Sequence, residues 1–211
     1  MVQDHEDQLI LEIDSNVEYI FEYSIDHWQT IHKPISKLSS SNLKQFLDLV
    51  DDNLHQYYEV HHGKLWKDDK RDEMQEDGLI YVWYEFKGEL VGFISFKLVD
   101  DEEGIDGSVF YLYEIQIKEK FRGQKIGTKL MKNLENLVIY IRTKSNDDKI
   151  LKINQLQQLS GIALTVFSQN KVAFEWYIRL GFKLSPSSPR DKVLRNGKVL
   201  KPDYYILYKS C

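Results

Sequence analysis

Cysteine and long apolar runs are scarce in this chain, and each scarcity excludes a class of structure. Cys211 is the only cysteine, so neither an internal disulfide nor a zinc site built on cysteines can form. The longest apolar stretches, such as 162–167, are far shorter than the roughly 20 residues of a transmembrane helix. The first residues, Met1 to Asp7, are acidic and lack an apolar signal core. These features predict a soluble protein of a reducing compartment, the cytoplasm and nucleus, with no membrane partner.

An excess of positive charge is also absent. The 28 Lys and Arg residues and the 33 Asp and Glu residues give a formal net charge of 28 − 33 = −5. Because general nucleic-acid binders are usually basic, DNA or RNA is not expected as a direct partner, whereas a cationic partner suits an acidic chain. Hydrophobic residues make up 42% of the 211 residues, which is enough for one domain with a sizeable core.

Hydrophobic periodicity and turn signals predict an alternation of strands and helices. The predicted strands lie over 19–23, 79–86, 90–98, 109–117, 162–167 and 204–208. The predicted helices lie over about 42–61, from 122–127 onward, and over 170–180, with 67–76 and 149–160 left as short helices or irregular segments. Asn196-Gly197 is a hairpin signal. We therefore expect an α/β fold with a mixed, mostly antiparallel sheet flanked by helices.

The segment from Arg122 to Thr128 has the composition of an anion-binding loop. It follows a predicted strand and opens a predicted helix, whose first backbone N–H groups lack partners within the helix and attract anions. Gly123 and Gly127 allow the backbone to approach a pyrophosphate closely, while Arg122 and Lys125 add positive charge. An ordinary exposed loop with a glycine-assisted helix start has the same pattern, so the segment alone leaves both interpretations open.

Two motifs taken together favour the first interpretation. The segment resembles the acetyl-CoA pyrophosphate loop of the GNAT superfamily, in which Gln or Arg is followed by two residues, Gly, one residue, and Gly or Ala. Arg122 fills the first place and Gly127 the last, and Lys125 stands where the family usually has its first Gly. The stretch 164–182 resembles the other GNAT signature through a strand, Asn170, an Ala three residues later, an aromatic pair and Gly-Phe. The chain is therefore similar to acetyl-CoA-dependent N-acetyltransferases.

The resemblance implies a fold and a cofactor site. In GNAT enzymes two neighbouring strands splay apart, and the pantetheine arm of acetyl-CoA lies in the gap. We therefore expect a single GNAT domain over residues 1–211, with a less recognisable N-terminal extension at about 1–40. The residues that the resemblance assigns to acetyl-CoA binding are Ile115, Gln116, Ile117, Arg122, Gly123, Gln124, Lys125, Ile126, Gly127, Thr128, Thr165 and Asn170.

Three further segments, 58–74, 111–114 and 164–207, resemble the histone-selective N-terminal acetyltransferases known as NatD. This resemblance implies acetylation of the N-terminal Ser of histone tails beginning Ser-Gly-Arg-Gly, without an obligatory auxiliary subunit. Two alternatives stay open. One is a GNAT enzyme that acetylates lysine or a small amine, and the other is a non-catalytic module that binds acyl-CoA.

The resemblance also implies catalytic roles. Glu114 is the candidate general base, and its alternative is a salt-bridged strand residue. Demand on the base is modest, because an α-amino group has a pKa of about 7.7–8.0. A backbone N–H within Ile115 to Ile117 is expected to stabilise the oxyanion. Tyr177 is the candidate general acid, and core packing explains it equally well.

Tyr58, Tyr113 and Tyr204 match the family's substrate-binding tyrosines, and each is otherwise a half-buried structural tyrosine. Asp101 and Glu102, in an acidic loop, are candidates for binding an arginine of the substrate, although a solvated hairpin tip is the default for such a run. No metal site is expected. The pair His61-His62 has no further ligand in the sequence pattern and is expected to be exposed.

Overall fold

A computed structural model of the protein describes residues 2–21, 27–100, 105–147 and 154–211. The helices are α1 (Val2–Phe21), α2 (Ser40–His62), α3 (Trp66–Glu73), α4 (Ile126–Asp147), α5 (Asn154–Gln157) and α6 (Lys171–Arg179). The strands are β1 (Trp28–Pro34), β2 (Ile80–Phe86), β3 (Glu89–Val99), β4 (Val109–Ile117), β5 (Gly161–Phe167), β6 (Lys183–Leu184), β7 (Lys192–Val193), β8 (Val199–Leu200) and β9 (Tyr204–Ser210).

Seven of the strands form one sheet in the order β1-β2-β3-β4-β5-β9-β6. The β4–β5 pair is parallel and the other pairs of this sheet are antiparallel. The predicted α/β fold with a mixed, mostly antiparallel sheet is therefore confirmed. The Asn196-Gly197 turn joins β7 to β8 as predicted, and Gly197 has the positive φ of 79° that such a turn favours.

Helices cover both faces of this sheet. In β2 the side chains alternate, so that Val82 and Tyr84 lie in the core formed with α1 and α4, whereas Tyr81 and Trp83 lie in the core formed with α2 and α3. All four are at most 2% exposed. Burial of each such side chain contributes about 1.5–3 kcal/mol to the hydrophobic driving force. Among the helices of the described ranges, none is long and apolar enough to cross a membrane.

Helix α2 confirms the prediction made for residues 42–61. Ser39 caps its first turn, and the Ser39 hydroxyl accepts a hydrogen bond from the backbone N–H of Asn42. Phe46 and Val50, four residues apart, are fully buried on one face. The helix ends at Gly63, whose φ of 76° is readily adopted by glycine. Further along the same face of α2, the side chains of Asn53, Leu54, Tyr57 and Tyr58 line the cleft described below.

The strand predicted at Tyr19–Tyr23 is wrong. Residues 19–21 belong to α1, and residues 22 and 23 lie outside the described residues. Leu9, Ile13 and Val17 recur every four residues and are buried against the sheet, so a helical stripe determines this segment. A five-residue window rich in aromatic and β-branched residues concealed that longer period. The first strand of the sheet is instead β1, which lies further along the chain.

An ion pair links α1 to β1. The Nδ1 atom of His32 lies 2.8 Å from Oδ1 of Asp14. The hydrogen bond with Asp14 raises the pKa of His32 above its ordinary value, while burial opposes the shift. Because the folded-state pKa is raised, this contact stabilises the fold fully below about pH 6.5, and the contribution is lost as the pH rises through the raised pKa.

We expect His32→Gln to lower the melting temperature by about 1–3 °C at pH 6 and by less at pH 8.5, since a single partly exposed ion pair contributes little to stability. Thermal unfolding followed by circular dichroism at the two pH values measures the difference. Asp14→Asn serves as the matched variant, and it should likewise lower the melting temperature more at pH 6 than at pH 8.5. A melting-temperature gap that stays constant between pH 6 and pH 8.5 would contradict the assignment.

Candidate active site

A cleft opens where β4 and β5 part. The two strands pair only from Val109↔Gly161 to Leu112↔Leu164, and beyond that point β4 pairs with β3 and β5 pairs with β9. The gap is a cleft of about 730 Å³ between residues 113–117 on one side and 165–167 on the other. The splayed strands expected from the resemblance are therefore present, and they give a ligand access to the middle of the sheet.

A bulge in β4 decides which way its polar side chains face. Ser95 pairs with Glu114 and Phe96 pairs with Leu112, so Tyr113 is an extra residue without a partner on β3. In a regular strand Glu114 would share a face with Leu112, whose side chain lies in the apolar core of α1 and α4. The bulge shifts the alternation by one place, and Glu114 lies against α2 and α3 instead.

The Glu114 side chain is buried, at 4% exposure, and its carboxylate has three polar or charged partners. Its Oε1 atom lies 2.6 Å from Nζ of Lys70 and accepts a hydrogen bond of 3.3 Å from the Tyr58 hydroxyl. Its Oε2 atom accepts a hydrogen bond of 2.6 Å from Nε2 of Gln116. Both interpretations of Glu114 therefore describe part of its surroundings: it is ion-paired, and it lines the cleft.

The charges around Glu114 shift the pKa of its neighbours. Burial disfavours the charged form of Lys70, but the negative charges nearby, above all that of Glu114, outweigh burial and raise the pKa of Lys70 well above its ordinary value. Burial, and then the charge of Glu114, raise the pKa of Tyr58. Lys70 is therefore a cation and Tyr58 a neutral hydrogen-bond donor at physiological pH.

A chain of hydrogen bonds connects Glu114 to the predicted cofactor loop. Gln116 donates to Glu114, and Oε1 of Gln116 accepts a hydrogen bond of 2.8 Å from Nδ2 of Asn53 on α2. Oδ1 of Asn53 in turn accepts a hydrogen bond from Nη2 of Arg122. Arg122 also donates to the carbonyl oxygen of Ile117 at 3.2 Å. The carboxylate and the loop cation are thus held in one network.

The cofactor loop has the geometry expected of an anion site. Lys125, which stands where the family usually has glycine, has a φ of 61°, in the left-handed region that glycine adopts without strain. Helix α4 begins at Ile126, so its first N–H groups point toward the loop. A Cβ added to Gly127 would lie 3.4 Å from Cζ2 of Trp176, which shows how closely the backbone approaches α6. These features, with the open gap, fit the pyrophosphate and pantetheine of acetyl-CoA.

Most of the predicted cofactor residues meet in this cleft. Those that line it are Ile115, Gln116, Ile117, Arg122, Gly123, Lys125, Ile126, Gly127, Thr128, Thr165 and Asn170. The lining does not include Gln124, which is exposed. Asn170 has a second role, because its Oδ1 atom caps α6 by accepting a hydrogen bond of 3.2 Å from the N–H of Ala173.

Tyr177 packs in the core and also lines the cleft. It is 7% exposed and its ring packs 5.7 Å from that of Phe182, which is a core contact. It also lines the cleft. Burial, and then the charge of Glu114, raise the pKa of Tyr177. The hydroxyl therefore stays protonated at neutral pH and can donate a proton inside the cleft.

The predicted substrate tyrosines occupy different positions. Tyr58 and Tyr113 line the cleft, and the Tyr113 hydroxyl donates a hydrogen bond of 2.8 Å to Oε2 of Glu76. Tyr204 is 42% exposed and lies outside the lining, where it pairs with Phe167 across β9 and β5. The acidic-loop candidates Asp101 and Glu102 lie outside the described residues.

The predicted exposure of the histidine pair is confirmed for His62 and wrong for His61. The His61 side chain is 8% exposed, its ring stacks on Phe167 at 5.3 Å, and Nδ1 lies 3.3 Å from Asp203. Stacking on Phe167 removes apolar surface of both rings from water, which favours the buried position of the His61 ring. Within the described residues, no group of three or more His, Cys, Asp or Glu side chains is arranged to hold a metal ion.

Sequence reasoning missed Lys70, Asn53 and Glu76. A signal for Lys70 was present, because Trp66, Lys70 and Met74 recur every four residues and lie on one buried face. A lysine between two large apolar residues at helical spacing indicates a buried cation. No local pattern identifies Asn53 or Glu76, since each acquires its role from a residue more than 30 positions away.

Comparisons with known proteins agree with this geometry. Residues 45–139 match the acetyltransferase (GNAT) family profile. The sequence is 33% identical over 213 residues to N-alpha-acetyltransferase 40 of Saccharomyces cerevisiae, covering 89% of this chain and 72% of that protein. The chain belongs to the acetyltransferase (GNAT) family, and it is an acetyl-CoA-dependent acetyltransferase. The predicted enzyme class is confirmed.

Solved structures share the fold at low sequence identity. Arabidopsis thaliana NAA60 in complex with a bisubstrate analogue superposes with a TM-score of 0.52 at 16% identity, covering 86% of this chain and 98% of the other. An acetyltransferase from Streptococcus agalactiae 2603 superposes with a TM-score of 0.54 at 16% identity, covering 89% of this chain and 100% of the other. The GNAT fold is thereby confirmed.

Proposed function

We propose that this enzyme is an N-terminal α-amino acetyltransferase that acetylates the N-terminal Ser of histone tails beginning Ser-Gly-Arg-Gly. The observation that carries the proposal is the position of Glu114, buried between the cofactor loop network and the aromatic side chain of Tyr58. An amine that enters from the tyrosine side meets a carboxylate inside the gap between β4 and β5. The name of the yeast relative, N-alpha-acetyltransferase 40, supports an α-amine as the acceptor.

The chemistry assigned to each residue follows from its surroundings. Glu114 accepts the proton that the α-amine loses, directly or through one water. Backbone N–H groups of Ile115 to Ile117, on the edge of β4 that faces the cleft, stabilise the negative charge that develops on the acetyl oxygen. Tyr177, which burial keeps protonated at neutral pH, donates a proton to the departing sulfur. Acetyl-CoA supplies the acetyl group, and no other cofactor is assigned.

Selectivity for the tail follows from size and charge. Tyr58 and Tyr113 flank the approach to Glu114, so a small first residue such as Ser fits and a bulky one clashes. A glycine in second place lets the substrate pass close to the strands. An arginine in third place can pair with the carboxylates of Glu76, beside Tyr113, and of Asp203, beside His61. Asp101 and Glu102 remain further candidates on the basis of the sequence.

We expect the purified chain, without any other subunit, to acetylate a Ser-Gly-Arg-Gly peptide and to fail on the same peptide with a blocked α-amine. Replacing the third-place Arg by Ala should lower kcat/KM by about 10–100-fold, which corresponds to the loss of one charge-assisted hydrogen bond. Added salt should reduce the difference in kcat/KM between the two peptides. Mass spectrometry of the three products measures the outcome.

The same three peptides separate the proposal from its alternatives. Acetylated lysines on the blocked peptide, at a rate near that of the free tail, would favour a lysine acetyltransferase. Tight acetyl-CoA binding by calorimetry, with no transfer to any peptide, would favour a non-catalytic module. We further propose that the enzyme acts in the cytoplasm and nucleus, where free histone tails occur, and immunofluorescence of the tagged chain tests this placement.

A further inference from the structure

Lys70 is a buried cation that the acetyl transfer described above does not use. Its side chain is 3% exposed, and Nζ lies 2.6 Å from Oε1 of Glu114 and 2.5 Å from Oε1 of Glu73. Removing two charges from water is costly, and apolar residues of similar volume often replace a buried ion pair without loss of stability. Stability alone therefore gives no reason for a lysine at this position, between the apolar Trp66 and Met74.

The groups that face the Lys70–Glu114 pair come from several elements. They are Glu73 on α3, Tyr58 on α2, Tyr81 on β2 and Tyr177 on α6. Burial is the largest influence on each of the three tyrosines and raises its pKa, so all three are neutral near pH 8. Among these described residues, the charged groups are therefore the ammonium of Lys70 and the carboxylates of Glu73 and Glu114.

An α-amine in contact with Glu114 comes close to Lys70. A direct hydrogen bond to Oε1 of Glu114 is about 2.8 Å long. Since Lys70 lies 2.6 Å from that same oxygen, the substrate nitrogen lies within about 6 Å of the Lys70 ammonium. A like charge at this distance disfavours the protonated form of the amine. Only the neutral amine has the lone pair that attacks a carbonyl carbon.

We propose that Lys70 is a positioning residue of acetyl transfer, which holds the Glu114 carboxylate against α2 and α3 and favours the neutral form of the bound α-amine. The inference rests on the proposed function, because it concerns an α-amine substrate. Glu73 is the second carboxylate paired with Lys70, and its side chain is 40% exposed.

The pH dependence of kcat for the Ser-Gly-Arg-Gly peptide tests the proposal. Without Lys70 two carboxylates are left to stabilise the ammonium form of the amine. Lys70→Met should therefore move the acidic limb of the profile to higher pH by about one unit or more, and lower kcat at pH 7 about tenfold. Lys70→Arg keeps the charge and should keep the limb near its original pH. Lys67→Met, on the same helix and paired with Asp51 at the surface, is the matched control.

Glu73→Gln gives a second test that leaves the buried pair in place. Removing this carboxylate should move the limb in the opposite direction, to lower pH, because less negative charge stabilises the ammonium. The variant keeps the proposal open to refutation even if Lys70→Met fails to fold. A limb that stays at the original pH in Glu73→Gln, or in a folded Lys70→Met, with only a uniform loss of kcat, would overturn the proposal.

Calorimetry distinguishes failure of this inference from failure of the proposed function. Titration of the peptide near pH 7.5, in buffers of different ionisation enthalpy, counts the protons released on binding. The unmodified enzyme should release a fraction of a proton, and Lys70→Met should release less or take protons up. If the unmodified enzyme binds no peptide, the proposed function fails. If both proteins bind and release equal numbers of protons, the role of Lys70 fails alone.

Discussion

Glu114→Gln is expected to lower kcat by about 10²–10⁴-fold, the usual loss when a general base is removed. The affinity for acetyl-CoA should change little, because Gln116, Asn53 and Arg122 keep their contacts to one another. Gln has the shape of Glu but cannot accept a proton at neutral pH. Steady-state kinetics across pH 6–9, together with calorimetric titration of CoA, measure the two effects separately.

The control for this variant is Glu89→Gln, on β3. Glu89 pairs with Lys118 and Lys120 and lies outside the cleft, so the same change of charge should leave kcat unaltered. Glu114→Gln also leaves Lys70 with Glu73 as its remaining ion-pair partner. We therefore expect a loss of stability as well, of about 1–3 kcal/mol. A rate that is unchanged at every pH would remove Glu114 from the mechanism.

Arg122→Ala combined with Lys125→Ala is expected to raise the dissociation constant of acetyl-CoA by about 10²-fold or more. Each charge-assisted hydrogen bond to a phosphate contributes about 1.5–3 kcal/mol, and 1.4 kcal/mol corresponds to a tenfold change in affinity. The constant for the peptide should change much less, since Arg122 and Lys125 belong to the loop that opens α4, whereas Tyr113 lies on β4. Calorimetry with CoA and with peptide compares the two.

Two variants control for charge and for backbone. Lys44→Ala with Lys120→Ala removes two cations outside the cleft, each paired with a surface carboxylate, and should leave CoA binding unaltered. Lys125→Gly removes the side chain where φ is 61°, so it relieves backbone strain while it removes one charge. It should unfold at a higher temperature than Lys125→Ala and bind CoA equally weakly. Unaltered CoA binding in a folded double variant would show that the loop assignment is wrong.

The secondary structure that was predictable is the part governed by local periodicity. The strand over 79–86, the helical stripe of α2 and the strand over 109–117 follow from neighbouring residues, and all three elements are present. The strand predicted at Tyr19–Tyr23 is wrong because these five residues are too few to show the α1 stripe, in which Leu9, Ile13 and Val17 recur every four residues. The loop from Arg122 to Thr128 was also predictable, since its glycines and cations lie within one short segment.

The tertiary structure decided the surroundings of the reacting groups. The bulge at Tyr113 arises from the pairing of β4 with β3, and it turns Glu114 from an apolar core toward α2 and α3. Its partner Lys70 is 44 positions away (114 − 70), and no local pattern joins them. Asn53 likewise meets Gln116 only because α2 packs across β4.

By itself, the sequence determined that this is an α/β chain with a helix-opening loop suited to a phosphate, because periodicity and turn chemistry act between residues a few places apart. The splay of β4 from β5, the burial of the Lys70–Glu114 pair and the network from Glu114 to Arg122 were decided only by tertiary packing. Such contacts join residues far apart in the chain, and their strength depends on burial, which exists only once the helices cover the sheet.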